Sequence, residues 1–121
     1  LHTNDAPQTI DRIIDSFPAS QQNQIRLQLS GTLLGIVAQR LIPRRDGTGR
    51  IAAFEILIGS AAARALIREG KTHLMQSVME TGAKDGMVTM EKTLKELYAQ
   101  NLISREDMMN LIRTTDKTPS Y

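Results

Sequence analysis

The chain has 121 residues, of which 40% are hydrophobic and only 3% aromatic, and 15 basic side chains face 13 acidic ones for a net charge of +2. That length supports one modest domain, with a core of Ile, Leu, Val, Met and Ala rather than rings. The near balance of charge and the lack of Trp argue against a nucleic-acid footprint or a base-stacking platform. With no Cys, disulfides and thiolate zinc sites are excluded, which is compatible with a reducing compartment. No apolar run approaches the roughly 18–20 residues that span a bilayer, and no signal peptide is visible. The chain opens at Leu1 rather than Met, so a fragment of a longer protein is expected.

The first helix is signalled by Asp5-Ala-Pro-Gln8, with Asp5 as cap, Pro7 in the first turn and Gln8 completing a capping box. Ile10, Ile13, Ile14 and Phe17 then form one apolar stripe, and Pro18 ends the helix. Ser20 is the expected cap of a second helix, with Ile25 and Leu29 inward, fading near Ser30-Gly31. Residues 33–42 and 50–58 are apolar and partly β-branched, and PRRDGTG between them is turn-rich. They read as two antiparallel strands of a hairpin. Both runs are apolar on both faces, so at least one strand is expected to be covered on two sides.

From residue 60 the pattern is helical. A short helix starts at Gly59 or Ser60 and ends at Gly70. Thr72 is the expected cap of the next, with Leu74, Met75, Val78 and Met79 as its stripe and Gly82 as its stop. Thr89 caps a further helix carrying Met90, Leu94, Leu97 and Tyr98. Ser104-Arg-Glu-Asp107 opens the last, with Met108, Leu111 and Ile112 inward. The polar tail TTDKTPSY is expected to be disordered.

Residues 65–72, ALIREGKT, fit a loose Walker A pattern. A phosphate loop, however, follows a strand and curls its amides around the anion. Here the first glycine is replaced by Ala65, and three of the four spacer residues are strong helix formers. Ala62, Ala63, Leu66 and Ile67 share one arc of a helix, and Arg64 and Arg68 share the opposite arc. Gly70 and Thr72 then read as a helix stop and the next cap. The arginine pair is read as a solvated basic face or, alternatively, as a contact for an acidic partner.

Other candidates are few. His2 stands at the start, His73 beside an apolar stripe, and neither has a second ligand at metal spacing, so no metal is expected. Glu55 lies inside an apolar strand and needs a partner; Arg40 on the preceding strand is the expected cross-strand ion pair. Gly82, Lys84 and Gly86 make a glycine-containing loop. Four of the six Met lie on helical stripes and are read as core. No triad or paired-carboxylate site is present.

LHT followed by TIDRIIDSFP is similar to the end of a His box and the helix after it. GRIAAFEILIG, and then TGAKDGMVTMEKTLKELYAQNLIS, continue the likeness. Ala62-Ala63-Arg64-Ala65-Leu66-Ile67-Arg68-Glu69 agrees at six of eight positions with the hallmark Ala-Ile-Arg-Asn-Leu-Ile-Arg-Glu. In this order, from Leu1 to about Ile112, the segments resemble the C-terminal part of the twitching-motility ATPases that retract type IV pili. Those ATPases fall within the type II/IV secretion-ATPase superfamily.

The resemblance implies an α/β fold, the C-terminal portion of a RecA-like P-loop ATPase core. Here that portion is a two-stranded hairpin plus about six helices, with a helix-rich C-terminal half. Residues 1–58 would end the sheet region, 59–113 would form a helical C-terminal region, and 114–121 a disordered tail. The implied parent is a homohexameric motor using ATP and Mg²⁺ to disassemble the pilus. It would be cytoplasmic and peripheral to the inner membrane at the pilus base, where it meets a platform protein and the pilus machinery. No nucleic acid is involved. Its Walker A and Walker B motifs would lie upstream of Leu1, so this chain alone is expected to bind no cofactor and to be inactive.

His2 carries over as a catalytic-site residue. Ala62, Arg64, Leu66, Ile67, Arg68 and Glu69 carry over as the helix coupling hydrolysis to retraction. Ala63 and Ala65 depart from the hallmark, and Phe54 stands where some relatives have His. Pilus-assembly and type II secretion ATPases stay open as alternatives. So do a self-contained helical interaction module without ATPase activity and a small nucleotide-binding protein using Ala65–Thr72.

Overall fold

A computed structural model describes residues 5–116. Asp5 caps helix α1 (Ala6–Asp15), its carboxylate accepting from the Gln8 amide at 2.7 Å. Ile10 and Ile14 are buried, whereas Ile13 and Phe17 lie 39% and 36% exposed at the rim, so the stripe is narrower than its spacing predicts. Helix α2 (Ala19–Thr32) is capped at Pro18, two residues before the expected Ser20, with no capping side chain. Ile25 and Leu29 pack inward as read.

The hairpin forms as predicted. Strand β1 (Gly35–Pro43) pairs antiparallel with β2 (Arg50–Ile58), Gln39 opposite Phe54. Alternation then sorts the side chains. Ile42, Ala53, Glu55 and Leu57 are buried on the helix-covered face, while Val37, Leu41 and Phe54 on the other face are 65%, 50% and 42% exposed. The expectation that a strand is covered on both sides therefore fails among the described residues. Only one face meets helices, because the helices after β2 return to the same side.

Helix α3 (Ala61–Arg68) follows, then a 3₁₀ turn at Thr72–Leu74 and α4 (Met75–Thr81). A second 3₁₀ turn at Ala83–Asp85 leads to α5 (Met90–Ala99) and α6 (Arg105–Asp116). The α6 helix includes residues 114–116, which the sequence assigned to the tail. At the β2–α3 junction, a Cβ on Gly59 would collide with the Leu33 carbonyl oxygen, so glycine is required by the close approach of the two backbones. No helix among the described residues is long and apolar enough to cross a membrane.

Instead of one core, the residues form two. Leu57 of β2 packs with Ile10, Ile67 and Met75 of α1, α3 and α4. Ala53 of the same strand face packs with Ile42, Leu94, Ile103 and Met108, under α5 and α6. Between Ala53 and Leu57 on that row stands Glu55, fully buried.

Candidate functional site: charges held by helix ends

The stretch ALIREGKT is a rod and a bend. Ser60 caps α3, accepting from the Ala63 amide at 3.2 Å. The helix runs to Arg68, and Gly70 turns left-handed at φ +70°, where a side chain is disfavoured. The Gly70 amide donates to the Ile67 carbonyl at 3.1 Å and the Lys71 amide to the Leu66 carbonyl at 2.8 Å. The amides that would cradle a phosphate already cap a helix. Lys71 Nζ lies 3.4 Å from Glu69 Oε1 with both side chains about half exposed, a pair of small energetic weight. Thr72 does not cap as expected. Its buried hydroxyl donates to Asp11 Oδ1 of α1 at 2.6 Å.

On α3, Ala63 and Ile67 are buried, Arg64, Ala65 and Leu66 are intermediate, and Ala62, Arg68 and Glu69 are exposed. The arginine pair therefore divides. Arg68 faces outward as read, but Arg64 is not a solvated charge. Its Nε donates to the Gly59 carbonyl at 2.7 Å, and its Nη1 to Ser30 and Gly31 at 3.3 and 3.0 Å. Its Nη2 donates to Leu33 at 2.9 Å. These are carbonyls of the α2 C-terminal end and of the β2–α3 junction. A cation belongs there, at the negative end of a helix. Arg64 thus pins the joint between α2, β1 and α3.

Glu55 also departs from its expected partner. The expected ion pair with Arg40 is absent: Arg40 lies across from Ala53, and Glu55 across from Ala38. Instead the carboxylate accepts two backbone amides, Ala6 at 2.8 Å on Oε2 and Met90 at 3.1 Å on Oε1. These open α1 and α5. In each helix the local cap takes an amide two residues further on, since Asp5 accepts from Gln8 and Thr89 from Lys92. Glu55 therefore satisfies an amide that the local cap leaves over.

Burial pushes the Glu55 carboxyl above the ordinary glutamate range. The Ala6 and Met90 amides, and more weakly Arg40, pull it back. Burial likewise raises Asp5, whose charge adds to the rise at Glu55. Arg40 acts on both carboxylates through its charge, while its Nε and Nη2 are buried without a hydrogen-bond partner among the described residues.

Three further bonds fix the start of α5 to β2, and the sequence reading missed them. Val88 exchanges backbone hydrogen bonds with Ile56 at 2.8 and 3.0 Å, and the Thr93 hydroxyl donates to the Phe54 carbonyl at 2.6 Å. The signals were present: a buried carboxylate, and a threonine one turn inside a capped helix. The Gly82–Gly86 loop is a 3₁₀ turn closed on itself and exposed from Ala83 to Gly86, with the Asp85 and Met87 amides both directed at the Gly82 carbonyl. His73 is exposed, His2 lies outside the described residues, and no group of three metal-ligating side chains occurs among the described residues.

Helices on one face of a hairpin and an α3 bearing the hallmark letters fit the C-terminal portion of a secretion ATPase. No family model matches the chain. It is 45% identical over 106 residues, 88% of its length, to a twitching motility protein of Neisseria gonorrhoeae. It is 48% identical over 107 residues to the type IV pilus retraction ATPase PilT of Pseudomonas aeruginosa. It spans only 28% and 31% of those two relatives. A crystal structure of the pilus retraction motor PilT with bound ADP superposes with a TM-score of 0.78 at 48% identity. That match covers 92% of this chain and 30% of the motor. The chain is a homologue of the C-terminal part of the PilT-type pilus retraction ATPases.

Proposed function

We propose that the chain serves as the C-terminal part of a hexameric motor that couples ATP hydrolysis to type IV pilus disassembly in twitching motility. The observation that carries this reading is the agreement of sequence and fold with a retraction motor along nine tenths of the chain. In this reading residues 1–58 end the RecA-like sheet region and 59–116 form the helical C-terminal region. The bare apolar face of the hairpin, with Val37, Leu41 and Phe54 exposed, suits packing against the remainder of such a core.

His2 contributes to the nucleotide site of the assembled motor, and ATP with Mg²⁺ is held by motifs outside this chain. Alone, the chain neither binds nor hydrolyses ATP. The outward residues of α3, Ala62, Arg68 and Glu69, transmit hydrolysis to retraction, with Leu66 and Ile67 anchoring the helix and Arg64 fixing its angle. The motor works on the cytoplasmic side of the inner membrane, against a platform protein at the pilus base.

The test is a chimera in which this chain replaces the matching segment of the Pseudomonas aeruginosa PilT. Twitching should be retained, and Arg68→Ala with Glu69→Ala should abolish twitching while ATP hydrolysis continues. A chimera that hydrolyses ATP as a hexamer but leaves pili extended contradicts the retraction role and favours the assembly or secretion alternative.

A further inference from the structure

Glu55 is the one carboxylate in the described structure that holds the first amide of two helices far apart in sequence, 49 residues away at Ala6 and 35 away at Met90. Those helices belong to different cores: α1 packs with Leu57, and α5 with Ala53. Between the two clusters on the β2 row stands Glu55, with Asp5 and Arg40 acting on it through their charges. Besides the packing of Leu94 with Ala53, α5 is fixed to the same strand by directional bonds, Thr93 to the Phe54 carbonyl and Val88 to Ile56.

We propose that Glu55 is a shared cap that couples the start of α1 to the start of α5, so that loosening one helix end loosens the other. The physical reason lies in the charge. A carboxylate set between the positive ends of two helices is held by both amides and both helix dipoles. If α5 draws back, Glu55 loses one donor. The side chain then recentres on solvent or on Arg40, whose Nε and Nη2 have no acceptor among the described residues, and the Ala6 amide is held less well. The converse holds when α1 moves, since coupling between two sites is reciprocal. Arg40 supplies the alternative partner that makes such a shift possible without stranding a buried charge. In a motor of the kind proposed above, it would join the helix that follows His2 to the C-terminal pair α5 and α6.

The test is residue-resolved amide hydrogen exchange on the chain as it stands. Thr93→Val removes one fixing of α5 without touching Glu55 or α1. It should speed exchange at Met90. It should also speed exchange at Ala6 several-fold more than at Ile67, whose amide in α3 reports opening of the whole chain. In Glu55→Gln, which keeps one acceptor and loses the charge, exchange at Ala6 and Met90 should rise about ten- to hundredfold, the factor for losing a charge-assisted hydrogen bond. Adding Thr93→Val to that variant should then leave Ala6 unmoved relative to Ile67. If Thr93→Val changes Ala6 only in step with Ile67, the coupling is overturned. A separate response at Ala6 that persists in Glu55→Gln overturns the role of Glu55. Should Glu55→Gln fail to fold, Thr93→Val alone still decides whether the two helix ends are coupled.

Discussion

Glu55 at the seam of the two cores and Arg64 at the α2–α3 joint are charges of opposite sign treated alike. Glu55 was expected to meet Arg40, and Arg64 to face solvent or an acidic partner; each is satisfied by backbone instead. Glu55 sits at two helix N-termini and accepts amides; Arg64 sits at a helix C-terminus and donates to carbonyls. The difference is in their freedom. Glu55 has no exposed surface, whereas Arg64 is only half buried, so Glu55 depends on protein partners completely and Arg64 does not. A charge among apolar residues announces that it needs a partner, but the partner is set by where helix ends converge.

The largest expected effect breaks this comparison on the Glu55 side. Glu55→Ala strands two buried amides and should destabilise the chain by about 3–5 kcal/mol in urea unfolding, or prevent folding. Next comes the joint that Arg64 pins. Gly59→Ala drives a methyl into the Leu33 carbonyl and should lose about 2–3 kcal/mol. Arg64→Ala should lose about 2 kcal/mol, less than Glu55→Ala because water can replace some of its bonds, while Arg68→Ala one turn on should stay within about 0.5 kcal/mol. Equal losses at the two arginines would erase the distinction drawn between them. The smallest effect is at the Walker-like ending. Lys71→Ala should change unfolding by no more than about 0.5 kcal/mol and leave any response to ATP and Mg²⁺ unchanged.

The pH dependence sharpens the comparison by sign. Burial raises Glu55 and Asp5, so the folded chain holds these two protons more tightly than the unfolded chain does. Their contribution to stability is full below the ordinary carboxylate range and is lost as pH rises through the raised values. Glu55→Gln should flatten that part of the thermal-melting profile.

Local signals were legible. Asp5, Ser60 and Thr89 cap the helices assigned to them, and Ser104 accepts from the Asp107 amide as its spacing predicts, because each cap and its amide lie within one turn. The hairpin and its turn were legible for the same reason, and the rejection of the Walker-like match followed from helix formers filling its spacer. What the sequence did not disclose involves distance. Thr72 finds Asp11 from 61 residues away, and Arg64 reaches carbonyls more than 30 residues back. Periodicity gave α1 its inward face at Ile10 and Ile14 but not its width. Whether Ile13 and Phe17 are covered depends on neighbours that periodicity does not describe.

The shared cap is the claim on which the account of these charges turns, and an NMR pH titration reads it at the atoms concerned. The Glu55 carboxyl carbon and the amide protons of Ala6 and Met90 should shift with one common midpoint, above the ordinary glutamate range, and both amide responses should vanish in Glu55→Gln. Separate midpoints for the two amides, or a Met90 amide indifferent to the titration, would contradict it.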